Sequence, residues 1–371
     1  MPRVSREYLV LLGIHFFFFL NFSELILLPK YFLTIGFGPS VIGLLMGSFS
    51  VSVLISLPAA GLLSERLPRK ALFMAGTVLL AVPTLFYETF SGCLGALFLL
   101  RILQGVGFAS TFGITGAMVV ETGVPSERKL LLGILTVAGI MTHAIGPSLG
   151  EFLIVAWGYP ALFASAASFG LLAFILSFLL PLRVSVDRPG LAGVNTAPVL
   201  TASSLVLGAV FGSAIIFLPP FLMTRDVTDS SPFFISFVLG SLLVWTVLYR
   251  RIRILPARIS WTVSSVLLVM LLLCVPWTAG GAVFTGLSVL FGVGYGYLYP
   301  TLNASMIAVN PERQGIANAL FVWSFNVGML AASVGFGFLC EAIGYGAAFR
   351  VVGVVGVCLL TGLGFRAKAS G

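Results

Sequence analysis

Charge is what this chain has least of. Asp, Glu, Lys and Arg make up 9% of its 371 residues, against roughly a quarter in soluble domains. So few charges cannot cover a hydrated surface, and the mean hydropathy of +1.12 fits a lipid solvent instead. Histidine is scarcer still, with two residues, and the four cysteines, Cys93, Cys274, Cys340 and Cys358, show no paired spacing. That pattern argues against a disulfide framework and against a metal site. No HExxH, phosphate-loop or Gly-x-Ser-x-Gly element occurs, so neither an enzyme nor a cofactor is expected. Gly292-Val-Gly-Tyr-Gly296 resembles part of a dinucleotide fingerprint, but it lies inside an apolar run and reads as close helix packing.

What is abundant is apolar length. A spanning helix needs about 20 mostly apolar residues. Twelve such runs stand out, at 8–29, 39–63, 71–87, 94–120, 130–156, 160–182, 199–222, 232–249, 259–277, 281–309, 316–340 and 347–365. The expected fold class is an all-α integral membrane protein with twelve transmembrane helices in two six-helix bundles. The first run is too long for a signal peptide and no small-residue cleavage site follows it, so it reads as a retained helix.

Lys and Arg are retained on the cytoplasmic side during insertion. Arg3, Arg6, Arg66, Arg69, Lys70, Arg128, Lys129, Arg183, Arg188, Arg250, Arg251, Arg253, Arg258, Arg313, Arg366 and Lys368 all fall on one side of a twelve-span topology. Lys30, Arg225 and Arg350 fall on the other, and Arg101 lies within a run. Both termini are therefore expected in the cytoplasm. The net charge of +8 then follows from topology, with lipid and not nucleic acid as the partner. The short loops point to a prokaryotic cytoplasmic (inner) membrane, and a monomer is expected.

An internal repeat organises the chain. Gly105-Val-Gly-Phe108 recurs as Gly292-Val-Gly-Tyr295, Glu127-Arg128 as Glu312-Arg313, and Gly158-Tyr159 as Gly344-Tyr345, at a near-constant offset. The expected domains are 1–182 and 199–371, joined by a polar linker at 183–198. Parallel repeats of this kind are one architecture of secondary transporters, with substrate held near the bilayer midplane.

Three stretches make the reading specific. Gly61-Leu-Leu-Ser-Glu65-Arg66-Leu-Pro-Arg69-Lys70 resembles the major facilitator superfamily signature Gly-x-Leu-x-Asp-Arg-x-Gly-Arg-Arg/Lys. Glu65 stands where the family usually has Asp, and Pro68 where it has Gly. Arg101-Ile-Leu-Gln104-Gly105-Val-Gly107-Phe-Ala109 is similar to the family's fourth-helix motif. Gly139, His143, Gly146, Pro147 and Gly150 resemble the fifth-helix motif of its drug and metabolite proton antiporter branches, with Glu151 replacing a closing Gly. The resemblance implies a latch in which Gly61 allows close approach, Glu65, Arg66, Arg69 and Lys70 pair with neighbouring helices, and Glu121 is a partner acid.

Arg101 is costly inside an apolar run, at about 2.5–3.5 kcal/mol on insertion scales, and calls for a buried partner. Glu24 lies at nearly the same depth, counting about 1.5 Å per residue from the helix ends. Asn21 and Glu24 share a face of the first helix, so a proton or cation site at Glu24 tuned by Arg101 is expected. His15 falls on the opposite face and reads as interfacial or packed. His143 reads as an interhelical polar contact on a small-residue stripe, and Glu151 as a gate contact or a hydrated end. If the family arrangement holds, Tyr295, Tyr299 and Asn303, with Trp323 and Asn326, form an aromatic wall with polar tips. Such a wall suits a small amphipathic organic substrate.

The function expected from these features is proton-coupled export by alternating access. A proton-coupled uptake symporter of the same fold is the first alternative. A transport-inactive receptor or scaffold is the second, although it would be free to shed buried charge.

Overall fold

The computed structural model describes the chain apart from residues 1–4, 65, 123–127, 182–194, 249–250, 252–253, 279 and 367–371. The side chains of 113, 116–117, 120–122, 128–129, 312 and 366 are also outside the description. Among the described residues twelve long helices follow one another: α1 Arg6–Thr34, α2 Pro39–Leu63, α3 Arg69–Thr84, α4 Leu94–Thr122, α5 Arg128–Trp157, α6 Tyr159–Ser177, α7 Pro198–Met223, α8 Ser231–Leu248, α9 Ala257–Thr278, α10 Gly281–Ala308, α11 Gln314–Ile343 and α12 Tyr345–Arg366. Eleven are long and apolar enough to cross a membrane, and α3, with 16 residues, is the short one.

One boundary departs from the sequence expectation in a way that bears on the site. The first helix was expected to stop at Pro29, yet α1 runs on to Thr34 and carries Lys30 inside it. A 3-10 turn at Leu25–Leu27 restarts the helix at Leu28. Pro29 thus sits in a first turn, where its missing N–H costs no hydrogen bond. Between α9 and α10, Gly280 and Gly281 adopt φ of 87° and 77°, a left-handed turn that glycine enters without strain.

The chain divides into two units, Met1–Tyr31 with Ser48–Arg188, and Phe32–Gly47 with Pro189–Gly371. In the first, α1 packs on α5 and α6, and α3 packs on α4 and α6. In the second, α7 packs on α11 and α12, and α9 packs on α10 and α12. Each pairing recurs six helices later, so the sequence repeat is a repeat of packing.

The repeated Gly-Val-Gly tripeptides show why. A Cβ at Gly105 would stand 2.6 Å from the Phe49 carbonyl oxygen on α2, and one at Gly107 2.6 Å from the Gly76 carbonyl oxygen on α3. Gly292 and Gly294 meet the Phe237 carbonyl on α8 and the Ser264 carbonyl on α9 in the same way. Each tripeptide seats one helix against two others, main chain to main chain, as small residues allow in membrane helices. The next residue repeats too. The Phe108 ring meets Phe22, Phe49 and Phe112, while the Tyr295 ring meets Phe211, Phe237 and Tyr299.

Gly292→Ala is therefore expected to destabilise the protein by about 1–3 kcal/mol through overpacking. Gly286→Ala on the same helix, where a Cβ meets nothing within 4 Å, is the control. Thermal unfolding in detergent checks this: the midpoint falls for the first variant and holds for the second.

Candidate functional site

The polar face of α1 is turned onto α6. Glu24 and Asn21 are both fully buried. The Asn21 side-chain amide donates to the Ala166 carbonyl, and the Ser165 hydroxyl donates to Glu24 Oε1 at 2.9 Å. Glu24 Oε2 is buried without a partner. Gly170 leaves the space beside the Asn21 amide that a side chain would fill. The shared face expected from the 21/24 spacing thus exists, and it addresses a neighbouring helix of the same unit.

The expected ion pair between Glu24 and Arg101 is not formed. Arg101 Nη1 donates to Gln104 Oε1 at 3.0 Å, and the guanidinium lies 4.5 Å from the centre of the Phe49 ring. Gln104 is the hub of this group. It also accepts from the Tyr87 hydroxyl at 2.6 Å and donates to Thr84 Oγ1 at 3.0 Å. Residue counting gives position along each helix but not rotation about its axis, and the rotation of α4 sends Arg101 toward Gln104 and the Phe49 ring of α2.

A buried ion pair does form nearby, between residues the sequence reading kept apart. Lys30 Nζ lies 2.5 Å from Glu151 Oε2, with both side chains almost wholly buried. Glu151, expected at a gate or in water, therefore ties α5 to α1. The signal that could have found it was one base and one acid, each near the end of an apolar run. Reading Pro29 as a helix end hid it.

Further inward on the α1–α5 contact, a Cβ at Gly146 would lie 2.7 Å from Ser23 Cβ, and one at Gly150 2.8 Å from Leu27 Cδ1. Pro147 is buried between them within α5. Gly139 faces the ring of His15, which is packed against Phe19 at 4.5 Å between centroids. His143 corrects its expectation: Nδ1 contacts the Gly139 carbonyl of its own helix at 3.2 Å. The polar contact between helices is its neighbour, Thr142, at 2.9 Å from the Ser23 hydroxyl.

In the second unit Tyr295 is enclosed in the aromatic core, and Tyr299 and Asn303 are half-buried. Tyr299 meets Phe321 and Phe325 edge-on, at 4.8 and 5.3 Å. Asn303 Oδ1 is buried without a partner. Trp323 does not join them. It is 43% exposed, about half a turn round α11 from Phe321 and Phe325. Asn326 donates to the Val322 carbonyl of its own helix at 2.8 Å.

Of the expected latch, Glu65 and the Glu121 side chain lie outside the described residues. Arg66 is exposed and Arg69 half-buried. A Cβ at Gly61 would meet nothing within 4 Å, so no close approach needs glycine there. Lys70 has a defined task. Its ammonium donates to the Phe178 and Leu180 carbonyls at 3.0 and 2.5 Å, placing a cation at the C-terminal end of α6.

Residues 10–310 match the model of the Major Facilitator Superfamily. The chain belongs to that superfamily. Its fold and family are those of transporters, which take small-molecule substrates within the membrane. An "Uncharacterized MFS-type transporter YwoD" of Bacillus subtilis is 31% identical over 214 residues, covering 56% of this chain and 44% of that protein. A second such transporter, MJ1560 of Methanocaldococcus jannaschii, is 24% identical over 84% of this chain and 85% of its own length. A Salmonella paratyphi B protein described as "Putative multidrug resistance protein MdtD" is 27% identical over 43% of this chain and 34% of its own length. The matched segment thus spans less than half of the Bacillus and Salmonella proteins. Among solved structures, the nucleoside transporter NupG superposes with a TM-score of 0.80 at 16% identity, covering 97% of this chain and 98% of that one. A bacterial homologue of the lysosomal transporter Spinster, in an inward-facing and unoccupied conformation, gives 0.78 at 15% identity, covering 98% of each chain.

Within this superfamily scaffold the Lys30–Glu151 pair is expected to be structural. Lys30→Met alone leaves a buried carboxylate behind and costs about 3–5 kcal/mol, whereas Lys30→Met with Glu151→Leu regains most of it. Folded yield and unfolding midpoints of the two variants in detergent check the sign.

Proposed function

We propose that the protein is a secondary active transporter that couples proton movement to export of a small amphipathic organic compound by alternating access. The observation that carries this reading is the Glu24 carboxyl: fully buried in a membrane helix, bound through one oxygen to Ser165, with its other oxygen unpartnered. An acid in such a place is expensive and marks an ion or proton path. Asn21 anchors the same face, and Arg101, held by Gln104, supplies a fixed positive charge in the same unit.

On the substrate side, the Tyr299 ring stands against Phe321 and Phe325, with the Asn303 amide one turn further along α10, which suits an amphipathic ligand. The resistance protein among the relatives supports efflux. We further propose that residues 1–182 and 199–371 are the two functional halves and that both termini lie in the cytoplasm of a prokaryotic inner membrane. In the same reading the 61–70 loop with Glu121 acts as the conformational latch, and the protein works as a monomer.

The test is transport in proteoliposomes under an imposed pH gradient across a panel of amphipathic compounds. Movement of a compound against the direction of proton flow is expected for the native protein, and its loss, by at least tenfold, in Glu24→Gln. Movement with the proton replaces export by uptake. Gradient-driven transport that survives unchanged in Glu24→Gln removes Glu24 from the proton path.

A further inference from the structure

Serine and threonine hydroxyls inside these helices mostly donate to the carbonyl four residues back in their own helix. Ser110, Thr111, Thr115, Ser168, Ser177 and Ser213 all do so. That bond satisfies the hydroxyl locally. Ser165 does otherwise: its hydroxyl crosses from α6 to Glu24 Oε1 at 2.9 Å. One position further along α6, Asn21 takes the Ala166 carbonyl. The two bonds fix both the position of the carboxyl and the rotation of α1 against α6.

We infer that Ser165 is the positioning residue of the Glu24 proton site, holding Oε1 so that Oε2 is the oxygen that gains and loses the proton. This rests on the proposed role of Glu24. The hydroxyl donates into Oε1, which leaves Oε2, buried and unpartnered, as the oxygen free for the proton. The geometry around the site leaves Ser165 as the group with this task. On α5, His143 is bound to the Gly139 carbonyl and Glu151 to Lys30. On α4, Arg101 is bound to Gln104, and Tyr87, beyond α3, donates to the same amide. Arg69 and Lys70 lie in the first turn of α3, where Lys70 caps α6. Helix α6 itself carries no charged residue or histidine. With the proton on Oε2, Oε1 accepts from Ser165 as the carbonyl oxygen, and proton loss turns the same bond into a charge-assisted one.

The experiment is a pH titration of the full-length protein in liposomes, followed by infrared difference spectroscopy of the carboxylic C=O band. The native protein is expected to show a titrating band that is missing in Glu24→Gln. In Ser165→Ala that band shifts in frequency, because the carbonyl oxygen Oε1 loses its hydrogen-bond donor. Ser165→Thr, which restores the hydroxyl, returns the band to its native frequency. A merely structural serine would change the unfolding midpoint and leave the band where it was. An unshifted band in a folded Ser165→Ala overturns the inference, as does a native protein with no band that depends on Glu24. The readout needs no substrate, so a titrating, serine-dependent Glu24 in a protein that moves nothing along a pH gradient would refute the transport reading and leave this inference standing.

Discussion

The constraint on which this structure depends is that lipid offers no hydrogen bonds, so every polar group in the apolar spans must find its partner in the protein. Most hydroxyls meet it within their own helix. Other polar side chains tie helices together, among them Asn21 and Ser165, which join α1 to α6, Ser23 and Thr142, which join α1 to α5, and Gln104, which joins α4 to the residues around the end of α3. Because partners are few, each such group is held in one place. The rule is only half met at a few buried groups, Asn21 Oδ1, Arg101 Nε and Asn303 Oδ1 among them, and Glu24 is the acid of that set.

Glycine meets the same constraint differently. Where Gly105 and Gly107, or Gly292 and Gly294, bring main chains into contact, dispersion and weak carbonyl contacts replace the hydrophobic effect that lipid cannot supply between helices. The superfamily fold is thus specified as much by where side chains are missing as by where they are large. Phe108 and Tyr295 fill the volume immediately beyond these approaches and gather the aromatic cores of their units.

This explains what could be read from the sequence. Run length and the Gly-Val-Gly repeat are properties of position along the chain, and the structure follows them closely. The pairing of Glu24 with Arg101 needed a second coordinate, the rotation of each helix about its axis. Residue counting gives depth, but Gln104, three residues beyond Arg101 on the same face, turns out to decide where the guanidinium goes. Lys30 was misplaced for a third reason: the 3-10 turn at Leu25–Leu27 lets the helix restart at Leu28, so Pro29 falls in a first turn and does not end it. Ser165 gave no signal because it sits among Ala164, Ala166, Ala167 and Ser168, a run that reads as packing alone.

Repetition of the backbone did not carry repetition of charge. Among the described residues the buried charged side chains are Glu24, Lys30, Arg101 and Glu151, all in the first unit. The second unit, built on the same helix pairings, fills its interior with phenylalanine, tyrosine and serine. Buried charge costs stability wherever it is placed, so a repeat free to drift should lose it equally from both halves. Its concentration in the first unit is what selection acting on the charges of one half and not the other would leave.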